Sequence, residues 1–308
     1  MTEFAVIIPN FNHASFLQER IESVLGQRYP PSEIIILDDA STDNSRDIIE
    51  KYSSHALITS IIYNEQNSGS PFLQWKKGLE YVTKDWVWIA ESDDHCSSNF
   101  LETAAKAIEK KQTAGIFYCD ARIDDGDARK QVVFSEEKNK LFNTTKWSTD
   151  YAIKGTDEIN ECLGISCTIN NSSSAVMKTP LLRKHINEVA SYRFHGDWYS
   201  YLSIALEADI VYSASTMNTY RDYSSGVKQG LPGDGRHKEE CFRILCMLDQ
   251  KLAGDKKEVT IKRFILQNLS IGLRGNKADW ELFKKINKKI AQKVWLILLK
   301  KRLGILKK

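Results

Sequence analysis

The chain has 308 residues, of which 42% are hydrophobic and 27% charged, an ordinary globular composition that can bury one large core or a domain with an appendage. Its formal charge of +3 hides an asymmetry: no acid follows Glu281, so the segment from Lys284 to Lys308 carries +10 and residues 1–281 carry about −7. The six cysteines form no CxxC pair, which argues against a zinc knuckle or a disulfide framework, and no apolar run approaches the roughly 20 residues that span a bilayer.

Short apolar runs alternate with helical patterns through the first 119 residues. FAVIIP (4–9) predicts a strand, followed by a helix near 14–26; EIIIL (33–37) leads to a helix near 43–53. LITSIIY (57–63) and a helix near 71–82 come next, then WVWIA (86–90), a helix near 98–111 and GIFYC (115–119). This alternation implies a parallel sheet covered by helices on both faces, with ligands beyond the carboxyl ends of its strands. Residues 120–225 are less regular, with a turn-like Asp124–Asp127 and a small-residue strand at Ser173–Met177. The acids of Asp124–Asp127 lack the spacing and terminal Glu of an EF-hand, so a surface turn is expected there. From about residue 236 the chain reads as helices, entered through the Gly/Pro loop Gly230–Gly235, which neither follows a strand nor has dinucleotide-fingerprint spacing.

The strand ends are chemically loaded. They carry Pro9-Asn-Phe-Asn12, Asp38-Asp-Ala-Ser-Thr-Asp43, Asn64-Glu-Gln-Asn-Ser-Gly69 and Glu91-Ser-Asp-Asp94 in succession. Asp43, Ser97 and Ser98 are natural caps for the helices that follow, but capping needs no doubled acids. Three carboxylates within four residues raise one another's pKa unless something positive is present. Such a cluster suits magnesium or manganese, which are commonly held by one or two carboxylates, waters and the oxygens of a diphosphate. The chain has neither a P-loop nor a kinase-type Gly-rich loop to cradle phosphates with backbone amides, so a cation would have to neutralise them.

Taken together, VIIPNFN, LDDASTD, NSG followed by QWKKG, and ESDD, in that order over roughly the first 120 residues, resemble a family 2 glycosyltransferase. The resemblance implies a GT-A type, Rossmann-like α/β fold with a mostly parallel sheet, helices on both faces and a C-terminal helical region. Residues 1–120 would form the nucleotide-sugar half, 121–230 the acceptor half and 231–308 the helical region with a basic amphipathic tail. It places Asp39 on the donor's uracil-type base with the Pro9, Asn10 and Phe11 turn beside it, and further nucleotide contacts at Asn67, Lys76, Ser92 and Arg221. Asp93 matches the metal-holding acid of the family's D-x-D motif, with Asp94 its neighbour and Glu91 standing where the first Asp is usual. Gln74-Trp-Lys76 replaces the common Ala-Arg-Asn, leaving Lys76 as a cationic contact and Trp75 to stack or to pack.

For inverting transfer a base must take the proton of the acceptor hydroxyl. Asp197, in Phe194-His-Gly-Asp-Trp-Tyr199, matches the family's acceptor-side Asp, with Gly196 in place of the preceding Glu and His195 as a neighbour; alone, Asp197 would read as a helix cap. Arg221 in Tyr220-Arg-Asp-Tyr-Ser-Ser225 resembles an arginine near the leaving diphosphate, and because Asp222 and Tyr223 stand where a His is common, His237 is a distant candidate third ligand. The expected partners are a nucleotide-diphosphate sugar, most simply UDP-linked, a glycan or lipid-linked acceptor in cell-surface polysaccharide synthesis, and Mn2+ or Mg2+, with no nucleic acid. The competing functions are a sugar nucleotidyltransferase and a catalytically degenerate binding subunit. The tail, with Trp295 and aliphatics among lysines, fits an interfacial helix on an anionic membrane or a packed helix with solvated charges. With no basic leader in MTEFAVIIPNFN and no disulfide framework, a cytoplasmic protein, soluble or peripheral at the inner face of the membrane, is expected, and N-x-S/T matches such as Asn143–Thr145 are chance occurrences.

Overall fold

The computed structural model describes residues 1–126, 132–221, 235–269 and 277–305. In chain order its strands are β1 (Phe4–Asn10), β2 (Glu33–Asp38), β3 (Ile58–Tyr63), β4 (Trp86–Ile89), β5 (His95–Cys96), β6 (Ala114–Asp124), β7 (Val132–Val133), β8 (Tyr151–Ile153), β9 (Ala175–Lys178) and β10 (Asp209–Arg221). Its helices are α1 (Ala14–Leu25), α2 (Ser45–Glu50), α3 (Pro71–Leu79), α4 (Phe100–Lys110), α5 (Phe134–Phe142), α6 (Gly155–Glu158), α7 (Thr179–Val189), α8 (Gly196–Ala205), α9 (Gly235–Lys251), α10 (Lys256–Asn268) and α11 (Lys277–Arg302).

Every residue of β1, β2 and β4 is buried, as uninterrupted apolar runs with no polar alternation require of strands covered on both faces. The sheet order is β3-β2-β1-β4-β9-β6-β10-β5, with β7 beside β6 and β8 beside β10. The β3-β2-β1-β4 run and the long β6–β10 pair are parallel. The small-residue strand expected near 173–177 forms as β9, antiparallel to both β4 and β6. Since the chain runs from β1 outward to β2 and β3 and then returns to β4 on the other side of β1, the switch point lies between the carboxyl ends of β1 and β4, where open α/β sheets bind ligands.

Alternation along β1 sends Phe4, Val6 and Ile8 to one face and Ala5 and Ile7 to the other. The first set packs with Leu17 and Ile21 of α1, Ile49 of α2 and Phe100 of α4. The second is continuous through Phe72 and Trp75 of α3 and Trp198 of α8 to Phe242, Phe264 and Phe283 of the C-terminal helices. Phe242 and Phe283 stack at 4.2 Å, fixing α11 to α9. Val294 and Leu298 of α11 are buried, whereas Trp295 and Leu296 on its other side are 45% and 48% exposed.

Capping follows the expectation only for Asp43, whose carboxylate accepts from Ser45 N (3.0 Å) at the start of α2 and from Ala14 N (2.8 Å) at the start of α1. Ser97 and Ser98 do not cap α4; its Leu101 N–H is taken by Gln27 Oε1 at 3.0 Å, a side chain brought from the end of α1. Gly126 turns the chain with φ 84° and donates to Asp124 Oδ1, as a surface turn would. Asp127, Asp222, Tyr223, the loop residues Gly230–Asp234 and the terminal Leu306–Lys308 lie outside the described residues. Among the described residues no helix is long and apolar enough to cross a membrane.

Candidate active site

The end of β2 divides its two acids between different tasks. Asp38 is fully buried and accepts from Asn10 Nδ2 (3.0 Å), Ser41 N (3.1 Å) and Arg46 Nε (3.3 Å), which fastens the loop after β2 to the end of β1. Asp39 turns towards the loop after β3. Its Oδ1 accepts from Asn64 Nδ2 (2.6 Å), Ser68 N (2.9 Å) and Gln74 Nε2 (2.8 Å), while among the described residues Oδ2 accepts only from Ser68 Oγ (2.7 Å), leaving acceptor capacity on that oxygen. The next residue, Ala40, is held at φ 60°, a left-handed conformation costly for a residue with a Cβ. Such strain persists only where the surroundings over-determine it.

Of the other nucleotide-side candidates, Phe11 is 42% exposed beside this loop, whereas Pro9 and Asn10 are buried in β1. Asn67 is exposed and anchored by donating to the Asp39 carbonyl (3.3 Å). Ser92 is buried and paired with His13 Nδ1 at 2.8 Å, a partner that the sequence did not point to. Lys76 is half-buried on α3, and its neighbour Lys77, also overlooked, donates to Asn64 Oδ1 at 2.5 Å.

Positive charge is supplied to the Glu91–Asp94 turn by the protein itself. Arg20, on the inner face of α1 and 0% exposed, donates from Nε to the Glu91 carbonyl (2.8 Å), and its Nη2 lies 3.9 Å from Asp94 Oδ2. Arg221, at the end of β10, donates to the Asp93 carbonyl (2.8 Å), pairs with Glu19 and stacks over Phe16. It is thus a brace behind the acidic turn rather than a solvated side chain. An arginine at one position of an amphipathic helix reads as solvated, and only the fold reveals Arg20 as buried.

These contacts separate the three acids. Asp94 is buried with both oxygens engaged: Oδ2 accepts from Asn171 Nδ2 (2.9 Å) and Oδ1 from Arg221 N (3.2 Å), so the structure uses it to hold the turn together. Burial and the neighbouring Asp93 charge push its pKa up to about 6. Glu91 accepts from Trp75 Nε1 (2.9 Å) and Ser172 Oγ (3.3 Å) through the same oxygen, leaving the other open among the described residues. Burial first and the Asp93 charge second push Glu91 up to about 8. Among the described residues the Asp93 carboxylate receives no hydrogen bond and makes no ion pair. A half-buried, unpartnered Asp93 beside a carboxyl pushed so far upward fits a divalent cation, held by Asp93 and the open oxygen of Glu91.

Asp197, the expected base, stands in the first turn of α8, with Oδ1 accepting from Trp198 N at 2.7 Å. Burial pushes it up to about 6. The helix is joined to the donor side by packing. A Cβ on Gly196 would stand 2.7 Å from the Phe72 ring; Phe72 meets Trp75 edge-on at 5.1 Å, and Trp75 donates to Glu91. The three departures from the family pattern, at Gly196, Trp75 and Glu91, are therefore one contiguous contact. Tyr201 of α8 has a buried hydroxyl with no hydrogen-bond partner among the described residues, and burial first, with the charges of Asp197 and Glu91, raises its pKa. His195 and His237 meet each other, which places His237 against α8 rather than on the acidic turn.

The model of the Glycosyl transferase family 2 matches residues 5–183. Over 113 residues the chain is 33% identical to TuaG of Bacillus subtilis (strain 168), a glycosyltransferase assigned to teichuronic acid biosynthesis; the match covers 37% of this chain and 44% of TuaG. It is 31% identical over 112 residues to the poly(ribitol-phosphate) beta-N-acetylglucosaminyltransferase TarS of Staphylococcus aureus (strain Mu50), covering 36% of this chain and 19% of TarS. The chain thus matches less than half the length of these relatives. Its fold superposes on the crystal structure of S. aureus TarS 1-349 in complex with UDP-GlcNAc with a TM-score of 0.72 at 17% identity, covering 98% of this chain and 92% of that one. A mannosyltransferase from Pyrobaculum calidifontis, in complex with GDP-Man and Mn2+, gives 0.55 at 14% identity, covering 96% and 84%. With GT-A architecture, acidic turns at the strand ends and a family model that spans more than half of its length, the protein belongs to glycosyltransferase family 2.

Proposed function

We propose that the chain transfers a sugar from a UDP-sugar to a glycan or lipid-linked acceptor with inversion, in cell-surface polysaccharide synthesis. The observation that carries this proposal is the division of labour at the switch point: Asp39 with spare acceptor capacity, Asp93 with no side-chain partner among the described residues, and Asp197 linked to the Glu91–Asp94 turn through Gly196, Phe72, Trp75 and Glu91. The TarS structures in complex with UDP and UDP-GlcNAc support a uridine nucleotide as donor.

In this mechanism Asp39 Oδ2 accepts from the base N–H, and exposed Phe11 offers a ring face beside it. Asp93 and Glu91 would hold Mn2+ or Mg2+, which would supply positive charge against the departing diphosphate. Asp197 takes the proton of the acceptor hydroxyl, whose oxygen forms a bond to the anomeric carbon as the bond to the diphosphate oxygen breaks. General-base assistance of this kind contributes about 10²–10⁴-fold in rate. Lys76, half-buried on α3, is a phosphate contact in this scheme. The exposed Trp295 and Leu296 on α11, among the basic residues of the tail, would let the protein rest on an anionic membrane, at the inner face where lipid-linked acceptors are presented.

The test is turnover of a panel of UDP-, GDP- and dTDP-sugars with and without Mn2+, with product linkage read by NMR. Mn2+-dependent transfer from a UDP-sugar with inverted anomeric configuration is expected. A retained configuration would refute inversion. Synthesis of nucleotide sugar from a sugar phosphate would identify a nucleotidyltransferase, and UDP-sugar binding without turnover a degenerate binding subunit.

A further inference from the structure

α9 presents His237, Glu240 and Cys241 at i, i+3 and i+4, the spacing that stacks side chains on one face of a helix. This face lies against the turn that opens α8. Glu240, 4% exposed, accepts from three successive backbone N–H groups, Arg193 (2.6 Å), Phe194 (2.9 Å) and His195 (2.9 Å), binding that turn to α9. Beside it, His195 Nε2 lies 2.9 Å from His237 Nδ1 and 3.6 Å from Cys241 Sγ, and the three atoms all fall within 4.8 Å of one another. Cys241 is buried and the two imidazoles are partly so.

Protons alone cannot engage all three groups at once. If His195 Nε2 carries the hydrogen, it donates to His237 and the thiol hydrogen has no acceptor in the group. If it carries none, its single lone pair must serve both His237 N–H and the thiol. A cation at the centre accepts a lone pair from each of the three atoms. With bonds of about 2.3 Å to sulfur and 2.0–2.1 Å to nitrogen, tetrahedral Zn2+ separates S and N by about 3.6 Å and two N by about 3.3 Å. The His195–Cys241 edge already has that length, the His195–His237 edge must open by about 0.4 Å, and the His237–Cys241 edge lies within 4.8 Å.

We infer that His195, His237 and Cys241 form a zinc site that ties α9 to the start of α8, separate from the acidic turn at Asp93. Thiolate with two imidazoles selects Zn2+ over the hard ions suited to carboxylates, and buried Glu240 adds a favourable negative charge nearby. An ion held here would fix the turn two residues before Asp197, so the three ligands are positioning residues. The site itself does not depend on the proposed transfer reaction.

The experiment uses the full chain, stripped with a chelator and reloaded with Zn2+ or Co2+, alongside Cys241→Ser, His237→Gln and Asp93→Asn. About one Zn2+ per chain is expected by elemental analysis in the unaltered protein and in D93N, and at least a tenfold weaker affinity in C241S and H237Q. Co2+ should give tetrahedral visible bands and a thiolate-to-cobalt absorption that C241S lacks. Circular dichroism of each metal-free variant checks folding, and if C241S does not fold, H237Q with the cobalt thiolate band decides. Absence of stoichiometric zinc, a cobalt spectrum without a thiolate band, or equal affinity in a folded variant would overturn the site.

Discussion

Replacing Trp75 by Phe and Glu91 by Met, singly and together, tests whether the two unusual residues act as a pair. Trp75 is 1% exposed and donates to Glu91 Oε1 at 2.9 Å. In W75F the smaller ring leaves the carboxyl with only Ser172 Oγ at 3.3 Å, and in E91M the indole N–H is stranded in the core. An unsatisfied buried polar group costs about 1–3 kcal/mol, whereas removing both partners leaves neither stranded. The double variant should therefore be less destabilised than the sum of the singles by about 1–3 kcal/mol, read from urea midpoints at pH 7 with m-values checked for constancy. W75F should also raise KM for the donor, because Glu91 is freed from the orientation that leaves its second oxygen open. Additivity within about 0.5 kcal/mol would show that the 2.9 Å contact carries no coupling and that Glu91 is held by something else.

Further outcomes follow from the acceptor side. Gly196→Ala should destabilise the protein by about 1–3 kcal/mol, since its Cβ would stand 2.7 Å from the Phe72 ring and ring or helix must shift; thermal unfolding measures it, and an unchanged Tm would refute the close packing. Asp197→Asn should lower kcat by about 10²–10⁴-fold with donor affinity preserved, as loss of a base that does not touch the donor requires. Because burial pushes Asp197 up to about 6, the base form is present above that value and lost below it, so kcat should fall as pH drops through about 6. A flat profile from pH 5 to 8 would remove Asp197 from the role.

The parallel strands and the loaded strand ends were legible because each rests on local pattern: apolar runs without alternation, and Asp or Asn clusters directly after them. Asp93 stood out for the same reason. The relations between these segments were not legible. Arg20 sits in a helix whose polar positions otherwise face water, and its burial depends on Glu91 and Asp94 arriving from β4, some 70 residues later. Trp75 and Gly196 looked like unrelated departures until α3 and α8 were packed together around Phe72. Ser97 and Ser98 had the right chemistry and position to cap α4, but Gln27 reached the free N–H from the loop after α1. His237 and Cys241 stand four residues apart on α9, but His195 joins them from the turn before α8, 42 residues earlier, so no compact ligand motif marks the set.

Calorimetric titration of UDP into the unaltered protein and into Asp93→Asn, each at rising Mn2+ concentration, bears most directly on the role of the acidic turn. UDP affinity should rise with Mn2+ in the unaltered protein, and in D93N that dependence should vanish along with at least 10²-fold of turnover. Equal Mn2+-dependent affinity and turnover in the two proteins would mean that the carboxylate at the tip of β4 does not hold the cation.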